Sequence, residues 1–185
     1  VNDYMLPQLK VVVQRNKPSI IFSAGEWDRS GEQWRSAEAL ACLYNESDAP
    51  SDAVVNDLWG SDTGFAHGGY YSTEDDPNSG SMNEEFIKRG WEECRGIGMS
   101  FGYNQNEGPE DYMTSEALIK LLVNIVSRGG NLLLNIGPKS DGTIPKIMSD
   151  RLLDIGAWLD VNGEAIYGTT VNRITRTDDG NVQFT

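Results

Sequence analysis

Ile20-Ile21-Phe22-Ser23-Ala24-Gly25-Glu26-Trp27 is the stretch on which the reading of this chain turns. Its short apolar run predicts a buried strand over Ser19 to Ser23, and it ends abruptly in a glycine, a carboxylate and an indole. A strand that opens into such a cluster is how a parallel α/β fold presents chemistry at its strand ends. Ala24 is the odd residue, a methyl group at a strand tip where a polar group is expected.

The flanking segments repeat the pattern. Upstream, Asn2 or Asp3 can cap a helix running to about Arg15, with Leu6, Leu9 and Val13 on one face and Pro7 tolerated in its first turn. Lys17-Pro18 stops it. Downstream, Trp34 to Tyr44 has helical spacing, and Ala53-Val54-Val55 reads as a second buried strand with Asn56-Asp57-Leu58-Trp59-Gly60 at its tip. The segment from Ser61 to Gly80 is a long polar loop interrupted by His67-Gly68-Gly69-Tyr70-Tyr71, a composition that is often functional. Ser115 can cap a helix with a stripe of Leu118, Leu121, Leu122, Ile125 and Val126, closed by Gly129-Gly130. The strand Leu132-Leu133-Leu134 follows, with Asn135-Ile136-Gly137-Pro138 at its tip. A last helix runs from about Ser149 to Leu159, with Leu152, Ile155 and Leu159 inward.

Three strand-then-loop units separated by helices predict a parallel α/β fold, the later part of a (β/α)8-like barrel over residues 1–170. A partial barrel leaves sheet edges unpaired, so further polypeptide is expected to complete it. Val171 to Thr185 alternates differently, and Asp178-Asp179-Gly180-Asn181 predicts a hairpin opening a β-type domain.

Composition narrows the chemistry. With 185 residues the chain can bury a core. A net charge of -13 and a pI near 4.4 argue against nucleic acid and anionic membrane surfaces as partners. No apolar run is long enough to span a bilayer, and no targeting segment is visible. Val1 in place of an initiating Met suggests a start inside a longer protein. Cys42 and Cys94 decide nothing about redox compartment. His67 is the only histidine and there is no Cys-x-x-Cys, which disfavours a metal site. Nothing names a cofactor. Asn45-Glu46-Ser47 has the N-glycosylation pattern, a triplet that also arises by chance.

Carboxylates beside aromatics, without metal ligands, favour glycoside chemistry. Sugars need aromatic faces for their C–H surface and carboxylates for acid and base roles. The candidates are Glu26, Asp57, Glu74, Asp75, Glu92 and Glu93. Asp57 can equally brace the turn after its strand. Glu92 follows Trp91, and an apolar neighbour raises a carboxyl towards general-acid duty. Trp27 and Trp59 can be sugar platforms, whereas Trp158 fits core packing. His67-Gly68-Gly69 lacks the Lys and Ser/Thr of a phosphate loop.

At these motifs the chain resembles the α-L-fucosidases of glycoside hydrolase family 29. The matching residues are Ile20 to Trp27, Val54-Val55-Asn56-Asp57-Leu58-Trp59-Gly60, His67 to Asp75, Trp91-Glu92, Phe101-Gly102-Tyr103, Ser127 to Pro138, and Leu159 to Tyr167. The resemblance implies the second half of a catalytic barrel, followed by the start of a C-terminal β-sandwich over 171–185. It implies a retaining hydrolase acting on fucosylated oligosaccharides or glycoconjugates, secreted, periplasmic or lysosomal. The first half of the barrel, which carries several sugar-binding histidines in the family, lies outside this chain.

The family's nucleophilic Asp falls at Ala24. As written the chain is then expected to be nearly inert, either through an Asp→Ala substitution or as a natural pseudo-enzyme that binds without cutting. The acid/base role carries over to Glu92, with Glu93 as runner-up. Substrate contacts carry over to Phe22, Trp27, Leu58, Trp59 and Phe101. Leu58 departs from the family's Arg, and Phe22 and Phe101 stand where Trp is usual.

Overall fold

The computed structural model describes residues 3–46, 51–74, 88–174, 176–178 and 182–185. The chain divides into two compact units, Val1–Ser72 and Thr73–Thr185.

In the first unit, α1 (Met5–Asn16) leads into β1 (Ile20–Ile21), then α2 (Gly31–Trp34), α3 (Ser36–Glu46) and β2 (Val54–Val55). Leu6 and Val13 of α1 are buried, as their shared face predicts. The helix starts later than expected: Tyr4 rather than Asp3 holds the cap position, without a side-chain hydrogen bond, and Asn2 lies outside the described residues. Lys17 ends it in the left-handed region at φ 47°, its N–H returning to Val13 O at 2.9 Å. The expected Trp34–Tyr44 helix is two helices. Ser30 and Gln33 form a capping box that starts the one-turn α2, Arg35 turns the chain at φ 59°, and α3 begins afresh. β1 and β2 pair in parallel, Ile20 with Val54 and Ile21 with Val55. Val13, Cys42, Leu43 and Val55 form the core between α1, α3 and β2.

In the second unit, β3 (Tyr71–Glu74), β4 (Trp91–Gly96) and β5 (Gly130–Asn135) form a sheet in the order β3-β4-β5, β3 spanning the division between the units. β4 and β5 are parallel over six rungs, Trp91↔Gly130 to Gly96↔Asn135. Neither β3 nor β4 was expected. Tyr-Ser-Thr-Glu and Trp-Glu-Glu-Cys-Arg-Gly mix polar with apolar residues, so they carry no continuous apolar signal. α4 (Ser115–Ser127) packs on β5 and on α5 (Lys146–Asn162). Thr114 rather than Ser115 caps α4, its side chain accepting from Ala117 N at 3.1 Å, and Ser115 reaches Asp154 instead. α5 is longer than expected at both ends. Pro145, without a side-chain cap, precedes it, and Gly163 closes it. Ile97, Tyr112, Leu118 and Met148 form the core here, with Leu134 and Ile155 packed against it. Leu134 therefore marks the helix-covered face of the sheet.

At the end of the chain Arg176 pairs antiparallel with Gln183, and Thr177 N–H donates to Val182 O at 2.9 Å. Asp179, Gly180 and Asn181 of the expected hairpin lie outside the described residues, as do Asp75 and Ser47 of the sequon.

Candidate functional site

At the tip of β1 the main chain leaves its ladder after two rungs, and a side chain takes over. Asn56, fully buried, accepts from Ser23 N at 2.9 Å and donates to Ser23 O at 2.7 Å. One amide thus makes both bonds that a further ladder rung would make, and it also donates to Ser72 Oγ at 3.3 Å. Asp57 beside it is equally buried, its carboxylate accepting from Phe65 N at 2.9 Å and Ser72 N at 2.8 Å. Of its two readings, the structure gives Asp57 the bracing one. The following loop closes onto β2: a Cβ on Gly68 would lie 2.5 Å from Asn56 O, and one on Gly69 2.5 Å from a Val54 methyl. His67-Gly68-Gly69 is thus a close-approach motif, and His67 itself is exposed.

These bonds hold Phe22 to Glu26 over a cavity of about 300 Å³. Phe22, Ala24, Glu26, Leu58 and Trp59 all line it, with Leu6 and Leu9 of α1 contributing apolar wall. Gly25 turns the chain here at φ 91°. Glu26 Oε2 is buried and without a hydrogen-bond partner. Trp34 Nε1 fixes the turn by donating to Glu26 O at 3.1 Å. Trp27 does not line the cavity and is 72% exposed. Ala24 offers only a methyl group to this space.

In the second unit, β4 separates its carboxylates by alternation. Glu93 is fully buried and accepts from the Thr73 hydroxyl. Trp91 shares its face and is buried under Arg128, whose guanidinium carbon stands 5.1 Å from the ring centroid. Glu92 points the other way and is half-buried. The apolar-neighbour argument for Glu92 therefore weakens, because the indole lies across the strand from it. Glu92 is also the second residue of β4, whereas Glu74 ends β3 and is exposed. Phe101, 41% exposed, lies in the loop after β4, its carbonyl accepting from Asn135 Nδ2 at 2.6 Å. Among the described residues no three His, Cys, Asp or Glu side chains come together as a metal site.

Sequence reasoning missed Asn56 as an organising residue. Its signal was an amide and a carboxylate placed directly after an apolar strand.

Residues 2–164 match the family described as alpha-L-fucosidase. The chain belongs to the α-L-fucosidase family. It is 38% identical over 192 residues to an alpha-L-fucosidase of Dictyostelium discoideum, covering 98% of this chain and 41% of that protein. To a plasma alpha-L-fucosidase of Homo sapiens it is 44% identical over 165 residues, covering 89% and 34%. The crystal structure of Thermotoga maritima alpha-fucosidase in complex with fucose matches with a TM-score of 0.75 at 39% identity, covering 96% of this chain and 38% of that one. Alpha-L-fucosidase isoenzyme 1 from Paenibacillus thiaminolyticus matches with a TM-score of 0.82 at 27% identity, covering 96% and 43%. The chain thus spans about two fifths of the length of these relatives.

Proposed function

We propose that this chain is the later part of the catalytic domain of an exo-acting retaining α-L-fucosidase, in a form lacking its nucleophile. Family membership over residues 2–164 supports the activity class. The observation that carries the reading is Ala24, held at the tip of β1 over a cavity walled by Phe22, Leu58 and Trp59. A retaining hydrolase needs two carboxylates about 5–5.5 Å apart, one attacking the anomeric carbon and one protonating the leaving oxygen. Position 24 is where the attacking group belongs, and a methyl group cannot attack.

The acid/base role is assigned to Glu92 by resemblance, with Glu93 as runner-up. Burial of Glu93 under Thr73 favours Glu92 of the two. Strand polarity favours a second reading, Glu74, because parallel α/β folds place chemistry at the C-terminal ends of strands. Sugar contacts are proposed for Phe22, Leu58, Trp59 and Phe101. The exposed Trp27 is proposed as a platform outside the cavity.

The parallel pairs and alternating helices support a (β/α)8-like barrel over 1–170, completed by preceding polypeptide. The Arg176–Gln183 bridge supports the start of a β-sandwich over 171–185. A secreted, periplasmic or lysosomal location is proposed from relatives that include a plasma enzyme. Among the described residues no helix is long and apolar enough to cross a membrane.

The test is hydrolysis of 4-nitrophenyl α-L-fucoside by the full-length protein, as it stands and with Ala24→Asp. Turnover restored by about 10⁴-fold or more supports the nucleophile position. In that restored background Glu92→Gln is expected to abolish cleavage of unactivated fucosides while sparing the aryl fucoside. The same signature in Glu74→Gln instead transfers the role. A second reading, a pseudo-enzyme that binds fucosylated glycans without cutting them, is favoured by Ala24 and Leu58 together. It gains if both forms are inert yet bind L-fucose.

A further inference from the structure

Asn45-Glu46-Ser47 is the one Asn-x-Ser/Thr triplet in the chain, and the hydrolase reading gives it no task. Asn45 stands in the last turn of α3, which ends at Glu46. The helix turns Ser36, Ala39, Cys42 and Leu43 inward, where they are buried, and leaves Ala41, Tyr44, Asn45 and Glu46 exposed. Ala41 lies one turn before Asn45 on the same stripe, so only a methyl group flanks the amide on that side.

The amide can take a covalent substituent without leaving its place in the fold. Asn45 Nδ2 donates to Ala41 O at 2.8 Å. A carboxamide nitrogen carries two protons, and that bond uses one of them. A bond to carbon can replace the other. The end of the helix is also held in position, because Gln14 Nε2 donates to Glu46 Oε2 at 2.9 Å and ties it to α1. Asn56 makes the contrast: it is fully buried and spends its amide on Ser23.

The position within the first unit keeps a bulky group clear of the cavity at Ala24. Ser36 and Ala39, in the first half of α3, line that cavity. Asn45 comes nine residues after Ser36, about 14 Å further along the axis at the helical rise of about 1.5 Å per residue. α3 leads into β2, and β2 runs parallel to β1. The end of α3 therefore lies towards the N-terminal ends of the two strands, away from the tip of β1.

We propose that Asn45 is an N-glycan acceptor, taking an oligosaccharide from a lipid-diphosphate donor. The inference rests on the secreted or lysosomal location proposed above. In the transfer, Asn45 Nδ2 attacks C1 of the first sugar. The N–C1 bond forms and the C1–O bond to the diphosphate breaks. The lipid diphosphate leaves with that electron pair, and one amide proton is released. Ser47 supplies the hydroxyl that the acceptor triplet requires at its third position, and Glu46 between them is not proline.

The test expresses the full-length protein in insect cells, with and without a supplied secretion signal. The peptide carrying Asn45 is mapped by mass spectrometry before and after peptide-N-glycosidase, in medium and cell extract. With the signal, Asn45 is expected to carry a glycan that the glycosidase releases, leaving a carboxylate in place of the amide. Asn45→Gln and Ser47→Ala are each expected to remove the glycan, and Ser47→Thr to keep it. An unmodified Asn45 peptide in the protein carrying the signal overturns the inference, and so does a modification that survives Ser47→Ala. If the protein with the signal is glycosylated at Asn45 while the protein without it stays unmodified in the cytosol, the acceptor site stands and the location reading fails separately.

Discussion

Two parallel strand pairs among the described residues, β1–β2 and β4–β5, are held together in opposite ways. β4 and β5 share six main-chain rungs and lie against α4, whose Leu118 and Ile125 are completely buried. β1 and β2 share two rungs, after which the Asn56 amide and the Asp57 carboxylate carry the hydrogen bonding. The difference shows what it takes to open a strand into a cavity. A ladder that ran on would fill the space that the site needs. Stopping it leaves half-buried N–H and C=O groups that something must satisfy. The Asn56 amide alone does so for Ser23, while Asp57 beside it ties down Phe65 N–H and Ser72 N–H, which concentrates the integrity of the site in very few atoms.

The largest expected effect lies at the tip those atoms hold. Ala24→Asp in the full-length protein is expected to raise aryl α-L-fucoside hydrolysis by about 10⁴-fold or more, because a covalent nucleophile is an all-or-none component. A smaller gain would mean that this strand tip does not present position 24 for attack.

Next come the two ways of breaking a strand pair. Asn56→Ala strands Ser23 N–H and Ser23 C=O and is expected to cost about 3 kcal/mol, a sum over two half-buried groups left unpaired. Leu118→Ala in the other unit is expected to cost a similar amount, about 3 kcal/mol, through a cavity instead. Chemical denaturation measures both, and L-fucose binding separates them. The Asn56 variant is expected to lose binding in the folded protein, while the Leu118 variant keeps it. Equal binding in the two would sink the idea that Asn56 shapes the site.

The same contrast explains what the sequence made legible. α4 and β5 announce themselves by an apolar stripe and an apolar run, and both formed close to their expected limits. The apolar residues of β1 and β2 also fixed those strands, although β1 is shorter than Ser19 to Ser23 because Asn56 replaces its last rung. β4 was invisible, since its alternation sets Trp91 and Glu93 apart from Glu92 and no periodic run survives. The break at Arg35 was invisible too, because a left-handed arginine is selected by Ser36 reaching Trp59 O, a contact distant in sequence. Of the site, Phe22, Ala24, Leu58 and Trp59 were legible as a strand-tip cluster and do share a cavity. Trp27, placed as an aromatic platform and by the family resemblance, is exposed and does not line that cavity.

The smallest effect concerns the surface seam of the first unit. Lys10 Nζ donates to Glu38 Oε1 at 3.0 Å, and Gln14 Nε2 to Glu46 Oε2 at 2.9 Å, joining α1 to α3. The Lys10 hydrogen bond holds Glu38 below its ordinary range, helped by the charges of Arg35 and Lys10 and opposed by desolvation. The Gln14 hydrogen bond, with Cys42 second, does the same for Glu46. Both carboxyls are depressed in the folded state. Their contribution is therefore present above the unfolded value, about 4.3, and is lost as pH falls through the folded values. Exposed pairs of this kind are weak and screened by salt. Melting temperatures taken from pH 7 to pH 3 at low salt are expected to fall more steeply below about pH 4.3 in the unaltered protein than in Glu38→Gln/Glu46→Gln. The gap between the two should be constant at neutral pH and close in acid. A gap that persists unchanged to pH 3 would mean that these side chains act through packing of their stems rather than through charge, and that the seam, like the strand tip above it, is held by shape and neutral hydrogen bonds.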